Sequence, residues 1–128
     1  MHALDRVAIP AIEAFKPDMI IVACGFDAAI VDPLARMQAT AATFAAMTLR
    51  IKQTAEKLCD GKLVLVHEGG YSEAYVPFCG HATIATLADS DITAPDPHAE
   101  NYHIRQPSPR FDAFLRDAID AMADELNL

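Results

Sequence analysis

Apolar residues fall along this chain in two rhythms, and each rhythm predicts an element type. Unbroken short runs are the first. Met19-Ile20-Ile21-Val22-Ala23 lies between Pro17 and Gly25, and Leu63-Val64-Leu65-Val66 follows Gly61. Runs that short, bounded by Pro or Gly, read as strands buried on both faces. The second rhythm repeats every three or four residues. Phe44, Met47, Ile51, Ala55 and Leu58 make one stripe from Thr40 to Cys59, opposite a wet face of Arg50, Gln53 and Lys57. Gly61 stands where a C-terminal cap belongs. Phe111, Phe114, Leu115, Ala118, Ile119, Met122 and Leu126 make another stripe. It is predicted to be buried, with Ser108 as N-cap and Pro109 in the first turn. Leu4, Val7, Ala8, Ala11, Ile12 and Phe15 predict a helix broken by Pro10, which removes a donor and clashes with the carbonyl of Arg6. A kink, or a restart with Pro10 in a first turn, follows. A shorter helix is predicted from about Gly80 to Ala88. Residues 89–107, with Pro95, Pro97 and Pro107, read as a linker.

Strand, helix, strand is the βαβ unit, so the two strands should run parallel through a right-handed crossover. Their carboxyl ends then share one edge of the sheet, where α/β proteins bind ligands. Asp27 follows the first strand; Gly69-Gly70-Tyr71 follows the second. An acid and a phenol thus face one crevice, beside a backbone kept open by two glycines. A carboxylate just past a buried strand needs a partner, yet Asp is also a common cap of the next turn or helix. On that stretch alone the capping role is the stronger reading. Two strands do not make a stable buried sheet. The open apolar edge is an association hazard, so the chain is expected to be part of something larger or to pair with a second copy.

Composition narrows the classes. The chain has 128 residues, enough for one small domain, and at 52% hydrophobic it is not a disordered chain. The net charge of −8 argues against partners bound through phosphates, whether nucleic acid or an anionic membrane surface. No apolar run is long enough to span a bilayer and no signal-peptide pattern appears. Cys24, Cys59 and Cys79 form no CxxC pair and are odd in number. A reduced, cytoplasmic protein with cysteines as small core residues is the simplest reading.

Two ordered motifs carry a resemblance. Gly25-Phe26-Asp27-Ala28 with Asp32-Pro33-Leu34, followed by Glu68-Gly69-Gly70-Tyr71, resembles the zinc-dependent histone deacetylase family. The longer string from His67 through Gly80-His81 looks most like the bacterial histone deacetylase-like amidohydrolases. The resemblance implies an α/β architecture: the C-terminal part of the arginase/deacetylase three-layer fold, with a parallel sheet. It implies hydrolysis of an acetylated amine, acetyl-lysine or an acetylpolyamine. It implies Zn²⁺ held by two aspartates and a histidine, with Asp27 matching the second aspartate. Tyr71 matches the tyrosine that donates to the acetyl carbonyl and then to the oxyanion, a donor typically worth about 3 kcal/mol of barrier. Leu34, Gly69 and Gly70 match the substrate channel, and Ala35 stands where many relatives carry glycine.

Other parts of the family pattern are missing from these residues. No His-His pair occurs. The one Asp-x-His, Asp96-Pro97-His98, lies downstream in the proline-rich stretch and reads as coincidence. His67 and His81 are local candidates for a general base, but neither matches the family's pair. Residues 1–128 are therefore expected to be a C-terminal fragment of a deacetylase catalytic domain, with an incomplete zinc site and no activity alone. The competing readings are a non-catalytic remnant and a self-associating α/β module. A Rossmann-like binding module is weak, because no G-x-G-x-x-G follows either strand.

Overall fold

In a computed structural model, which describes residues 1–34 and 37–128, the element order is helix, strand, helix, strand and three further helices. Strands β1 (Ile20–Cys24) and β2 (Leu63–His67) pair in parallel, with Ile20 opposite Leu63 and Cys24 opposite His67. The crossover between them is α2 (Ala41–Cys59). Its start follows from sequence: the Thr40 hydroxyl accepts the Thr43 N–H, and the Thr43 hydroxyl accepts the Thr40 N–H. At its other end Asp60 and Gly61 both turn left-handed, and Gly61 N–H bonds the Ala55 carbonyl.

Pro10 acts as its chemistry requires. The chain enters through one wide turn, Leu4–Ala8, in which Ile9 N–H reaches back to the Leu4 carbonyl. A regular helix, α1 (Ile9–Phe15), then starts with Pro10 in its first turn. Proline has no N–H to continue the earlier register, so the ladder restarts there. Helix α3 (Val76–Leu87) begins four residues before the predicted start at Gly80. Pro77 falls in its first turn, where a missing donor costs nothing, so the proline opens this helix. The stretch read as a linker contains a short helix, α4 (Ala99–His103).

The core is one-sided, and this corrects the reading of the strands as buried on both faces. On one face, Ile20, Ala55 and Cys59 are buried with Ile12, Val22, Ile51 and Leu63 against them. On the other face Ile21 is 68% exposed, and Val64 and Val66 are open to solvent. Among the described residues nothing packs over that face, and the sheet has two strands. A larger cluster sits beyond the carboxyl ends of the strands. Phe26, Ala29, Ile30, Ala39, Ala41, Phe44, Tyr75, Cys79 and Tyr102 are all buried in it.

The predicted burial of the last helix is also overturned. Helix α5 (Pro109–Glu125) forms as its Ser108 cap and Pro109 dictate, with the Ser108 hydroxyl accepting the Phe111 N–H. Yet Phe111, Phe114, Leu115, Met122 and Leu126 are exposed, Ala118 is exposed and Ile119 only half-buried. The helix docks instead through the small, fully buried Ala123 and through its acids. Asp120 lies 2.8 Å from the His2 ring, and Asp124 accepts from Arg6 at 2.8 Å. Those pairs turn the apolar stripe away from the rest of the chain. The fold is thus an α/β arrangement on a parallel sheet, as expected, with two apolar faces open.

Candidate active site

The crevice forms where the strand ladder continues past the strands. Glu68 N–H donates to the Cys24 carbonyl, and Phe26 N–H donates to the Gly69 carbonyl at 2.6 Å. These two bonds hold the Gly25–Asp27 and Glu68–Tyr71 segments side by side at the carboxyl edge of the sheet. Asp27 is half-buried there, against the backbone of both glycines. A Cβ on Gly25 would stand 2.7 Å from Asp27 Oδ1. A Cβ on Gly69 would overlap the Asp27 carboxylate and stand 3.4 Å from the Tyr71 ring. The acid and the phenol therefore converge on one glycine. Asp27 is not a helix cap; Thr40 holds that role for α2.

Gly70 has a reason of its own. Its φ is +142°, and a Cβ would meet Val76 at 3.0 Å and Phe26 at 3.1 Å. Only glycine takes that backbone without strain. Tyr71 follows, with 55% of its surface exposed at the mouth of the crevice. Leu34 is exposed on the neighbouring loop. Ala35 lies outside the described residues.

One residue at the centre of this region was quoted in the motif but given no role by sequence reasoning. Asp32 is fully buried. Its Oδ1 accepts the Leu34 N–H at 2.8 Å, and its Oδ2 accepts the Tyr71 N–H at 2.8 Å. The available signal was an Asp immediately before Pro, a pairing that turns the chain and lets the carboxylate accept the N–H two residues on. The bond to Tyr71 left no local signal.

Asp96, read as coincidental, also has a structural role. Tyr75 is fully buried, donates its hydroxyl to Asp96 at 2.5 Å and accepts the Ala41 N–H at 3.0 Å. Burial, with the Asp96 carboxylate beside it, pushes the Tyr75 phenol well above its ordinary range. Burial pushes the Cys79 thiol up to about 12 and raises that of Cys24, which keeps both protonated at neutral pH. The two histidines lie elsewhere. His67 stacks against Phe26 with ring centres 5.2 Å apart, and it lines an apolar groove of about 470 Å³ with His81, Cys24 and Thr83. Neither Asp27 nor Tyr71 lines that groove.

The donor set tests the metal. Asp27 offers a carboxylate in the crevice, but among the described residues no group of three or more His, Cys, Asp or Glu could hold an ion. Zinc sites use three or four protein ligands. These residues by themselves do not make one.

With the fold and crevice defined, similarity to known proteins fixes the class. Residues 1–87 match the histone deacetylase domain. Across all of its length the chain is 46% identical to a histone deacetylase-like amidohydrolase of Pseudomonas aeruginosa, of which it covers 34%. It is 39% identical over 95 residues to a probable deacetylase of Archaeoglobus fulgidus, covering 73% of this chain and 26% of that one. In three dimensions it superposes on the HDA15 HD domain with a TM-score of 0.61 and 34% identity, over 73% of this chain and 25% of that one. The histone deacetylase Clr3 gives a TM-score of 0.61 at 31% identity, over 80% of this chain and 18% of that one. The chain belongs to the histone deacetylase family. It spans about a third of the length of the Pseudomonas relative.

Proposed function

We propose that residues 1–128 are the C-terminal part of a zinc-dependent deacetylase that hydrolyses acetylated amines of the acetyl-lysine or acetylpolyamine type. The observation that carries this is the convergence of the Asp27 carboxylate and the Tyr71 ring on Gly69, at the carboxyl edge of two parallel strands. Asp27 supplies one oxygen ligand; the remaining ligands and the general base come from outside these residues. Zinc, when bound, serves as a Lewis acid toward the amide carbonyl. Tyr71, exposed at the mouth, donates its hydroxyl to the acetyl oxygen as negative charge develops there. Leu34 and the two glycines border the path of the acyl-amine stem. Neither nucleic acid nor a membrane is a partner in this reading. No helix among the described residues is long and apolar enough to cross a membrane.

A second reading is favoured by one observation. Ile21, Val64 and Val66 leave an apolar strand face open, so two copies of this chain could associate through the exposed sheet. That is self-association of an α/β module without catalysis.

The test joins the 128 residues to the upstream two thirds of the Pseudomonas relative, in place of its matching segment. The chimera is expected to bind zinc and to hydrolyse a fluorogenic acetyl-lysine substrate. Asp27→Ala is expected to lose most of its zinc. Tyr71→Phe is expected to keep zinc and lose roughly 10²–10³ in kcat, the usual effect of one oxyanion donor. Loss of metal in Tyr71→Phe would make the assigned roles wrong. The 128 residues alone are expected to bind zinc weakly, show no turnover and scatter light as oligomers. Stoichiometric zinc and chelator-sensitive turnover from a monomer would refute this account.

A further inference from the structure

We infer that Asp32 is a positioning residue that sets the backbone of Tyr71 for catalysis and ties it to the channel loop at Leu34. The inference rests on the catalytic reading of Tyr71 given above and assigns that site a further residue. Asp32 is fully buried, and a buried carboxylate is costly unless its charge is met. Here the two oxygens diverge in function. Oδ1 accepts the Leu34 N–H within its own turn, while Oδ2 accepts the Tyr71 N–H from a segment 39 residues away. Both are charge-assisted bonds to backbone donors, the stronger and shorter class.

The Tyr71 ring is more exposed than buried, so packing does little to orient it. Its place is set by its backbone. On one side Gly70 abuts Phe26 and Val76; on the other the Tyr71 N–H is held by Asp32. Four residues on, Tyr75 is locked by Asp96 and Ala41, which anchors the far end of the same loop. The near end depends on Asp32. A displacement of about 1 Å at a reacting group can cost about 10²-fold in rate.

Asparagine at this position keeps one acceptor and turns an amide N–H₂ toward a backbone N–H, so it cannot hold both loops. In the chimera, Asp32→Asn is expected to lower kcat by roughly 10- to 100-fold, with zinc content unchanged and KM altered by less than about 3-fold. In a Tyr71→Phe background the same change is expected to lower kcat by less than about 3-fold, because the hydroxyl it positions is already gone. Full additivity of the two losses would overturn the assignment and make Asp32 merely structural. An unchanged kcat in Tyr71→Phe alone would instead overturn the catalytic reading, and this role with it. If Asp32→Asn does not fold, amide exchange in the unaltered chimera decides. The Tyr71 N–H is expected to exchange roughly 100-fold or more slowly than an unprotected amide. Unprotected exchange there would overturn the tether.

Discussion

The crevice cluster and the open faces of this chain are both rich in apolar side chains and fare differently. Around the crevice, Ala29, Asp32, Tyr75 and Cys79 are fully buried, and the buried polar atoms of Asp32 and Tyr75 have partners. On α5, Phe114 is 65% exposed and Ile21 on the open strand face is 68% exposed. The difference lies in what each region meets. Phe26 and Phe44 pack edge-on with centres 5.2 Å apart, and Tyr75 and Tyr102 do so at 5.0 Å. The crevice cluster thus closes on its own residues, drawing in α2, α3 and α4. Helix α5 meets the chain through the small buried Ala123 and through Asp120 and Asp124, in largely exposed pairs worth about 0–1 kcal/mol each. An apolar stripe is a request for a partner; burial happens only where the partner is present.

The largest effect is expected at Tyr75. Replacing it with alanine empties the centre of the cluster and should destabilise the chain by about 3–5 kcal/mol, read by urea unfolding. A change below about 1 kcal/mol would mean the cluster is not the stable half. Tyr75→Phe keeps the ring and removes the hydroxyl. It leaves the Asp96 carboxylate and the Ala41 N–H without that partner, at an expected loss of about 1–3 kcal/mol. An equal stability for Tyr75→Phe would reduce the Asp96 strap to decoration.

Alkali sharpens the contrast without mutation. The Cys79 thiol rises from its ordinary 9.0 to about 12, and the Tyr75 phenol rises above its ordinary 10.0. Raised pKa values mean the folded state holds these protons more tightly than the unfolded chain. The stability they confer is complete below about pH 9 and is lost as pH climbs toward 12. Denaturation midpoints measured from pH 8 to 11 should fall over that window, and less steeply in Tyr75→Phe. The smallest effects belong to α5. Arg6→Ala should cost less than about 1 kcal/mol. Phe114→Ser should change stability by less than about 0.5 kcal/mol while reducing light scattering. A cooperative unfolding loss from Phe114→Ser would show that the stripe is covered after all.

Much of this architecture was legible locally. Thr40, Ser108, Pro10 and Pro109 mark starts and restarts that the backbone obeys, because capping and proline chemistry act within one helical turn. Pro77 carries a start signal too, yet the apolar spacing alone places this helix from about Gly80, and the proline opens α3 at Val76. At the site, Asp27 and Tyr71 were recognisable from motif and shared sheet edge, and the crevice places them together. Asp32 and Asp96 were visible as letters but not as partners. Each bonds a group in a distant segment, Tyr71 in one case and Tyr75 in the other, and neither bond has a period to detect.

The amino-acid order alone yields the two strands, helices α2 and α5, the parallel sense of β1 and β2 and the edge on which Asp27 and Tyr71 emerge, while α4 inside the proline-rich stretch escapes it. Those follow from periodicity, chain connectivity and the handedness of the crossover. Packing in three dimensions sets which apolar stripe is covered and what Gly69 and Gly70 make room for. Gly69 gives way to the Asp27 carboxylate, Gly70 lets the chain pass Phe26, and α5 turns its acids inward toward His2 and Arg6. These outcomes depend on the shape and charge of a neighbour that is distant in sequence. A hydrophobic pattern states what a face could bury and carries no information about what will meet it.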